Sequence, residues 1–182
     1  MTEKLHASSL DGAASTLLSG RLKLTVSVMR AHDLADEGSI LDKQDPALTV
    51  SAGGHAHSTR RQKDAGTKAA FSERFEFELG RSEYERGLEL KVEVHNQSLM
   101  GVQTLIGSGS VAIKSVLPSA GASSALTIPL SGNRGFVTMR GHLESLDPDL
   151  DREEEEKMAA SNAKADAPKE VEASETAAVH SI

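Results

Sequence analysis

The chain has 182 residues, which is enough for one domain with a hydrophobic core and hardly enough for two. Hydrophobic residues make up 38% of it and aromatic residues 3%, and both fractions are low for a fully folded chain, so part of the sequence is expected to be disordered. The absence of cysteine excludes disulfides, thiolate metal sites and thiol nucleophiles.

The formal net charge of −7 is concentrated near the end of the chain. Residues 147–182 contain 11 acidic and 4 basic residues, whereas residues 20–146 contain 15 basic and 14 acidic residues. Because the central segment is nearly neutral, we expect no nucleic-acid binding. Apolar runs fall far short of the roughly 20 residues that span a bilayer, and Met1–His6 lacks the apolar core of a signal peptide. We therefore expect a cytoplasmic protein without a transmembrane segment.

Residues 1–19 are rich in Ser, Ala and Gly and are predicted to form a flexible leader. After Gly20 the sequence alternates with period two: Leu22, Leu24, Val26 and Val28 share one face of a predicted strand. Further strands are predicted along the chain, separated by Gly, Ser, Asn, Asp and Pro. They cover Ala47–Ala52, Ser58–Lys63, Phe75–Leu79, Leu88–Val94, Val111–Ile113, Leu126–Leu130 and Val137–Leu143.

These strands number eight, and no convincing helix lies between them. The pattern predicts an all-β fold, an eight-stranded antiparallel β-sandwich over residues 20–146. Residues 147–182 include the run Glu153–Glu156 and have no apolar stripe to bury, so they are predicted to form an acidic disordered tail.

Six segments in this order resemble the C2 domain, the calcium- and phospholipid-binding β-sandwich. They are Gly20–Val28, Ala31–Leu34, Asp45–Pro46, Phe71–Phe77, Leu88–Val94 and Ile106–Gly107. The resemblance covers the whole predicted sandwich, and its beginning and end look like the family's circularly permuted (type II) strand order. The sequence departs from the family at three places. Phe71 stands where the family usually has Trp, Lys68-Ala69 where it usually has Asn-Pro, and Ala47 where it usually has Tyr.

The resemblance also implies where calcium ligands would lie. The family's three aspartate positions in the third top loop fall on Asn96, Ser98 and Thr104, none of which carries a carboxylate. In the first loop Asp45 matches a family ligand, and the other position falls near Ser39. Calcium affinity follows the number of carboxylates supplied. We therefore expect no tight calcium binding and no cofactor, with Asp36, Asp42 and Asp45 as weak candidate ligands; alternatively, Asp45 simply caps a turn before Pro46.

Apolar residues occupy the tips of the same two loops. They are Ile40 and Leu41 in the first loop and Leu99, Met100 and Val102 in the third. If the tips project together they form a wedge for a membrane or a partner, and each buried side chain stabilises by roughly 1.5–3 kcal/mol. The alternative is that the tips fold over each other and fill the calcium site.

A second candidate is a group of basic residues around the third predicted strand. In some C2 domains a lysine-rich patch on this strand binds phosphoinositide headgroups. The resemblance therefore makes these basic residues a candidate lipid-headgroup site. It comprises His55, His57, Arg60, Arg61, Lys63 and Lys68. The alternative is an ordinary solvated strand edge whose charges guard against aggregation. His55 and His57 would share one face of a strand, but no third metal ligand is evident.

No catalytic motif is found. Gly107-Ser108-Gly109 lacks the third glycine and the following helix of a nucleotide-binding loop. The sequence therefore predicts a non-enzymatic C2-like module that binds a membrane or phosphoinositide peripherally and without calcium. The alternative function is a protein-interaction or scaffold module in a larger assembly. Such a module also needs no calcium ligands, so it explains the missing carboxylates equally well.

Overall fold

A computed structural model describes residues 20–36, 43–97 and 102–147, together with Asp149, Arg152 and Glu156. Within these residues the fold is a sandwich of two antiparallel β-sheets, as the sequence predicts. The leader and most of the acidic tail lie outside the described residues. Asp149, Arg152 and Glu156 belong to a second compact unit, and each has a helical backbone and an exposed side chain.

Nine strands are present in the described part of the chain, one of them of only two residues. They are β1 (Arg21–His32), β2 (Pro46–Ala52), β3 (His55–Ser58), β4 (Ala69–Ala70), β5 (Arg74–Gly80), β6 (Glu89–Gln97), β7 (Gln103–Ala112), β8 (Ser123–Pro129) and β9 (Phe136–Ser145). In the first sheet β4 and β5 both pair with β1, which is followed by β9 and β8; the order of the second sheet is β3-β2-β6-β7.

The core lies between the sheets and is formed by the alternating residues predicted from the sequence. Leu22, Leu24, Val26 and Val28 of β1 are buried against Leu90, Val92 and Val94 of β6 and their neighbours in one continuous hydrophobic cluster. Ala47 and Ala69, which stand where the family has larger or more rigid residues, are also buried. These departures therefore leave the sandwich intact.

The predicted third strand, Ser58–Lys63, is wrong: the strand is β3 (His55–Ser58). Gly53 and Gly54 both have positive φ angles, 56° and 79°, and form a two-residue hairpin turn, so pairing with β2 begins at His55. The hairpin ends at Thr59, because its side-chain Oγ1 accepts the Leu48 N–H at 3.0 Å while its own N–H donates to the Leu48 carbonyl at 2.8 Å. Arg60–Lys63 therefore lies in the connection to β4.

Two one-turn helices, α1 (Arg81–Glu85) and α2 (Ile113–Val116), were not predicted. Ile113 was assigned to a strand with Val111, but it begins α2, where Ile113 and Leu117 are buried with helical spacing. The hydroxyl of the buried Tyr84 in α1 donates to the Leu117 carbonyl at 2.7 Å and joins the two turns. Burial and the neighbouring Glu85 raise the pKa of Tyr84.

Gly107 and Gly109 let the β7 edge of one sheet approach the β8 edge of the other. A Cβ added at Gly109 would lie 2.3 Å from the Pro129 carbonyl oxygen and 2.9 Å from Ile128 Cγ2. One added at Gly107 would lie 3.1 Å from Leu130 Cβ. These glycines therefore serve the close approach of two sheets rather than a phosphate-binding loop.

We predict that Gly109→Ala lowers the free energy of unfolding by about 1–3 kcal/mol, because the added methyl group overpacks this edge. Urea unfolding checks this, with the exposed neighbour Ser110→Ala as the matched control, expected to change stability by no more than about 0.5 kcal/mol. Equal stability of the two variants would contradict the close approach of the edges.

Candidate functional site

The connections β1–β2, β3–β4 and β6–β7 meet at one end of the sandwich, which we call the loop end. Asp45, just before β2, donates its N–H to Asn96 Oδ1 at 2.8 Å and accepts the Gln97 N–H on its carbonyl at 3.0 Å. The Leu34 N–H donates to the Thr67 carbonyl at 3.1 Å, which brings in the third connection. Direct hydrogen bonds therefore join the end of the β1–β2 connection to the last residues of β6, and its start to the β3–β4 connection. Of the predicted loop-tip residues only Val102 lies within the described part of the chain.

Asp45 is the polar centre of the loop end. It is buried, and both oxygens of its carboxylate are occupied by groups of the β3–β4 connection: Oδ1 accepts the Asp64 N–H at 2.7 Å, and Oδ2 lies 3.3 Å from Arg61 Nη1. The Arg61 guanidinium also reaches the Gln97 carbonyl at 3.5 Å. Since a buried carboxylate needs compensating charge and hydrogen bonds, this ion pair holds the β3–β4 connection against Asp45.

The described oxygen donors at the loop end do not fit a calcium ion, which takes six to eight oxygens with several carboxylates among them. Asn96 and Thr104 lie opposite each other on β6 and β7, and the Asn96 amide oxygen is already hydrogen-bonded. Asp36 is exposed, while Asp42 and Ser98 lie outside the described residues. Among the residues that the structure describes, no three His, Asp or Glu side chains are grouped so that they could hold a metal ion.

The six predicted headgroup residues fall into two sets. His55 and His57 lie on β3, and His57 pairs with the buried Val50, so both histidines lie on the face directed toward the other sheet. The His57 ring stacks on Phe75 at a centroid distance of 5.3 Å and meets the edge of Phe77 at 5.1 Å. His57 therefore covers the open side of the hydrophobic core.

The other four residues, Arg60, Arg61, Lys63 and Lys68, lie in the β3–β4 connection at the loop end. Arg61 is engaged by Asp45, whereas Lys63 and Lys68 are exposed and form no ion pair within the described residues. The cationic surface is therefore a loop at the end of the sandwich and not a stripe on a strand.

Glu73 anchors the start of this connection. Its carboxylate accepts the Arg60 N–H at 3.0 Å and the Ser72 N–H at 2.9 Å. Burial by itself would raise the pKa of Glu73, but the backbone N–H donors outweigh burial, and the pKa lies below the ordinary value for Glu. The carboxylate is therefore ionised when it holds the backbone of Arg60.

Exposed apolar side chains also occur at the loop end. Val102, a predicted tip residue, is 62% exposed, and Leu105, which was not predicted, is 48% exposed. Alternation could not have identified Leu105, because the register shifts beside it: Val94 pairs with Gly107 and His95 with Leu105, so Ile106 is an extra residue in β7. Ile40, Leu41, Leu99 and Met100 lie outside the described residues.

The sandwich and its sequence agree with one family. The model of the C2 domain family matches residues 22–128, and the chain belongs to that family. C2 domains are in general modules that bind lipids or proteins. No curated protein sequence matches the chain.

Solved structures show the same fold at low sequence identity. A single C2 domain of plant Extended Synaptotagmin 1 is 17% identical with a TM-score of 0.60, and the match covers 70% of this chain and 96% of that one. A structure of Extended Synaptotagmin 2 that holds its SMP domain and two C2 domains gives 23% identity, a TM-score of 0.60, and coverage of 76% of this chain and 32% of that one. Human GIVD cytosolic phospholipase A2 is 16% identical with a TM-score of 0.58, and the match covers 70% of this chain and 17% of that one. The chain thus spans only a small part of the two larger proteins.

A helix long and apolar enough to span a bilayer is not found in the described part of the chain.

We predict that Arg61→Met lowers the free energy of unfolding by about 1–3 kcal/mol, because it leaves the buried Asp45 carboxylate without its cation. The double variant Asp45→Asn/Arg61→Met should lose less unfolding free energy than the single variants Asp45→Asn and Arg61→Met lose together. The difference is a coupling energy on the order of 1 kcal/mol. Urea unfolding of the four proteins in this cycle measures the coupling. Lys63→Met, which removes an exposed cation from the same connection, is the control. Additive losses would show that Asp45 and Arg61 do not interact.

Proposed function

We propose that this domain is a non-enzymatic, calcium-independent module that attaches peripherally to anionic membrane through its loop end. The observation that carries the proposal is the Asp45–Arg61 ion pair. The carboxylate that matches a calcium ligand of the family is neutralised by a guanidinium of the same chain, 3.3 Å away. A domain that supplies this positive charge itself needs no divalent ion to offset the carboxylate.

The remaining cations supply the attraction to the membrane. Lys63 and Lys68 are exposed in the β3–β4 connection, and a basic residue near an anionic surface contributes about 1 kcal/mol of binding free energy. The exposed side chains of Val102 and Leu105 lie at the same end and can enter the interface. Electrostatic attraction and apolar insertion together supply the two contributions that stable peripheral binding requires.

The second candidate function is protein docking. The outer face of the second sheet favours it, because Thr49, Ser51, Ala56 and Ser58 present small side chains across β2 and β3. Such a surface suits the close approach of a protein better than the capture of a phosphate. A docking module would bind its partner independently of lipid composition.

We predict that Lys63→Gln/Lys68→Gln weakens binding to vesicles of phosphatidylcholine and phosphatidylserine roughly 30-fold, since two cations are lost. The matched control is Arg86→Gln/Lys114→Gln, which removes the same charge near α1 and α2, at the other end of the sandwich. Vesicle sedimentation in calcium and in chelator should give equal binding for the wild type.

Three results would contradict the proposal. Equal loss in both double variants would show that net charge, not the loop end, governs binding. Wild-type protein that binds anionic vesicles only when calcium is present would reject calcium independence, and a wild type that ignores lipid composition altogether would favour docking to a protein.

A further inference from the structure

An open groove of about 630 Å³ lies on the outer face of the first sheet, where β1 approaches the loop end. It is formed by the end of β1, by β4 with the preceding residue, and by Thr138 of β9. Its principal lining side chains are Met29, Arg30, His32, Lys68, Ala70 and Thr138. The groove therefore lies on the sheet opposite to β3, and it includes Lys68 from the six predicted headgroup residues.

Strand register places these side chains side by side. Arg30 is paired with Ala70 on one side and with Thr138 on the other, so the three form one row across the sheet. Lys68 directly precedes Ala69, the partner of Ala31, and so borders the next row, which His32 and Phe136 occupy. Diagonal neighbours in such a sheet have Cα atoms about 7–8 Å apart, a spacing at which two long cationic side chains can contact one small anion.

A β-bulge opens the groove. The register between β1 and β9 shifts between Val28 and Arg30, so Met29 is an extra residue, and both Met29 and Arg30 are exposed. Met29 is 43% exposed and provides an apolar wall next to the cations. The small side chain of Ala70 leaves the space beside Arg30 open.

The groove differs in charge from the rest of the same face. Toward the start of β1, Lys23 and Glu144 form an ion pair at 2.7 Å, and Arg21 and Glu78 form one at 3.7 Å. Within the described residues, neither Arg30 nor Lys68 has an acidic partner. Asp33, the one carboxylate among the described residues that line the groove, lies 3.0 Å from His32 Nδ1. The positive charge of the groove is therefore available to a ligand.

We propose that this groove binds a phosphate monoester of a phosphoinositide headgroup, with the Arg30 guanidinium, the Lys68 ammonium and the Thr138 hydroxyl as donors to the phosphate oxygens. Arginine suits a phosphate because its planar guanidinium donates two parallel hydrogen bonds. Met29 contacts the apolar part of the lipid. A lipid is favoured over a phosphopeptide because Lys68 also belongs to the cationic connection of the loop end, where Val102 and Leu105 are exposed. The inference rests on the proposed function and gives it a headgroup specificity.

The test compares Arg30→Gln and Thr138→Val with Arg140→Gln, a control on the same face of β9 that does not line the groove. Vesicles contain phosphatidylcholine with either phosphatidylinositol bisphosphate or phosphatidylserine, at equal total charge. We expect each groove variant to weaken binding to the bisphosphate vesicles by about tenfold. Binding to the phosphatidylserine vesicles should change less than about twofold, and Arg140→Gln should resemble the wild type on both. Soluble inositol trisphosphate should compete with the bisphosphate vesicles, whereas inorganic phosphate and a phosphotyrosine peptide should not.

Three results would overturn the inference. Retained bisphosphate binding in Arg30→Gln would exclude the groove, and equal losses in Arg30→Gln and Arg140→Gln would indicate diffuse attraction to the whole face. Competition by the phosphotyrosine peptide would assign the groove to a protein ligand. If the wild type binds both kinds of vesicle and the groove variants have no effect, this inference fails and the proposed function stands; if the wild type binds neither, the proposed function fails with it.

Discussion

The ion pair between Asp45 and Arg61 is the contact on which the architecture of the loop end depends. Asp45 is buried, and an isolated carboxylate in such a place would be costly. The carboxylate is satisfied by Arg61 Nη1 and by the Asp64 N–H, and the backbone of Asp45 separately bonds to Asn96 and Gln97 at the end of β6. One residue thus ties the end of the β1–β2 connection both to the β3–β4 connection and to β6.

This arrangement separates the structural cations from the available ones. Arg61 is tied to Asp45, and its role is to neutralise a charge inside the domain. Lys63 and Lys68 lie in the same connection without acidic partners among the described residues, and Lys68 also borders the groove with Arg30. Arg61 supplies the positive charge from within the chain, whereas a metal ion would make the same packing depend on its concentration.

Much of the fold could be predicted from the sequence, because strands covered on one face alternate apolar and polar residues. The alternation in β1, β5, β6 and β9 placed the core residues correctly. The third strand was misplaced, because its position depends on the Gly53-Gly54 turn and on the Thr59 side chain rather than on an apolar pattern. Ile113 was misplaced because two apolar residues, Val111 and Ile113, satisfy a strand as well as the start of a helical turn.

The candidate site was less predictable. In the sequence Arg61 is one of several surface cations, and its pairing with Asp45 leaves no local pattern, because the two residues meet only through the path of the β3–β4 connection. The groove beside Arg30 depends on a bulge at Met29 and on strand order, and neither is visible in local composition. Resemblance to the C2 family placed Asp45 at a ligand position, but the structure was needed to show what occupies its oxygens.

Backbone NMR of the wild-type domain during a calcium titration tests the central claim most directly, because the amides of Asp45, Asp64, Asn96 and Gln97 surround the ion pair. If Arg61 supplies the positive charge at Asp45, millimolar calcium will leave these four resonances unchanged. A saturable shift centred on them would show that a divalent ion displaces the guanidinium and would contradict the account.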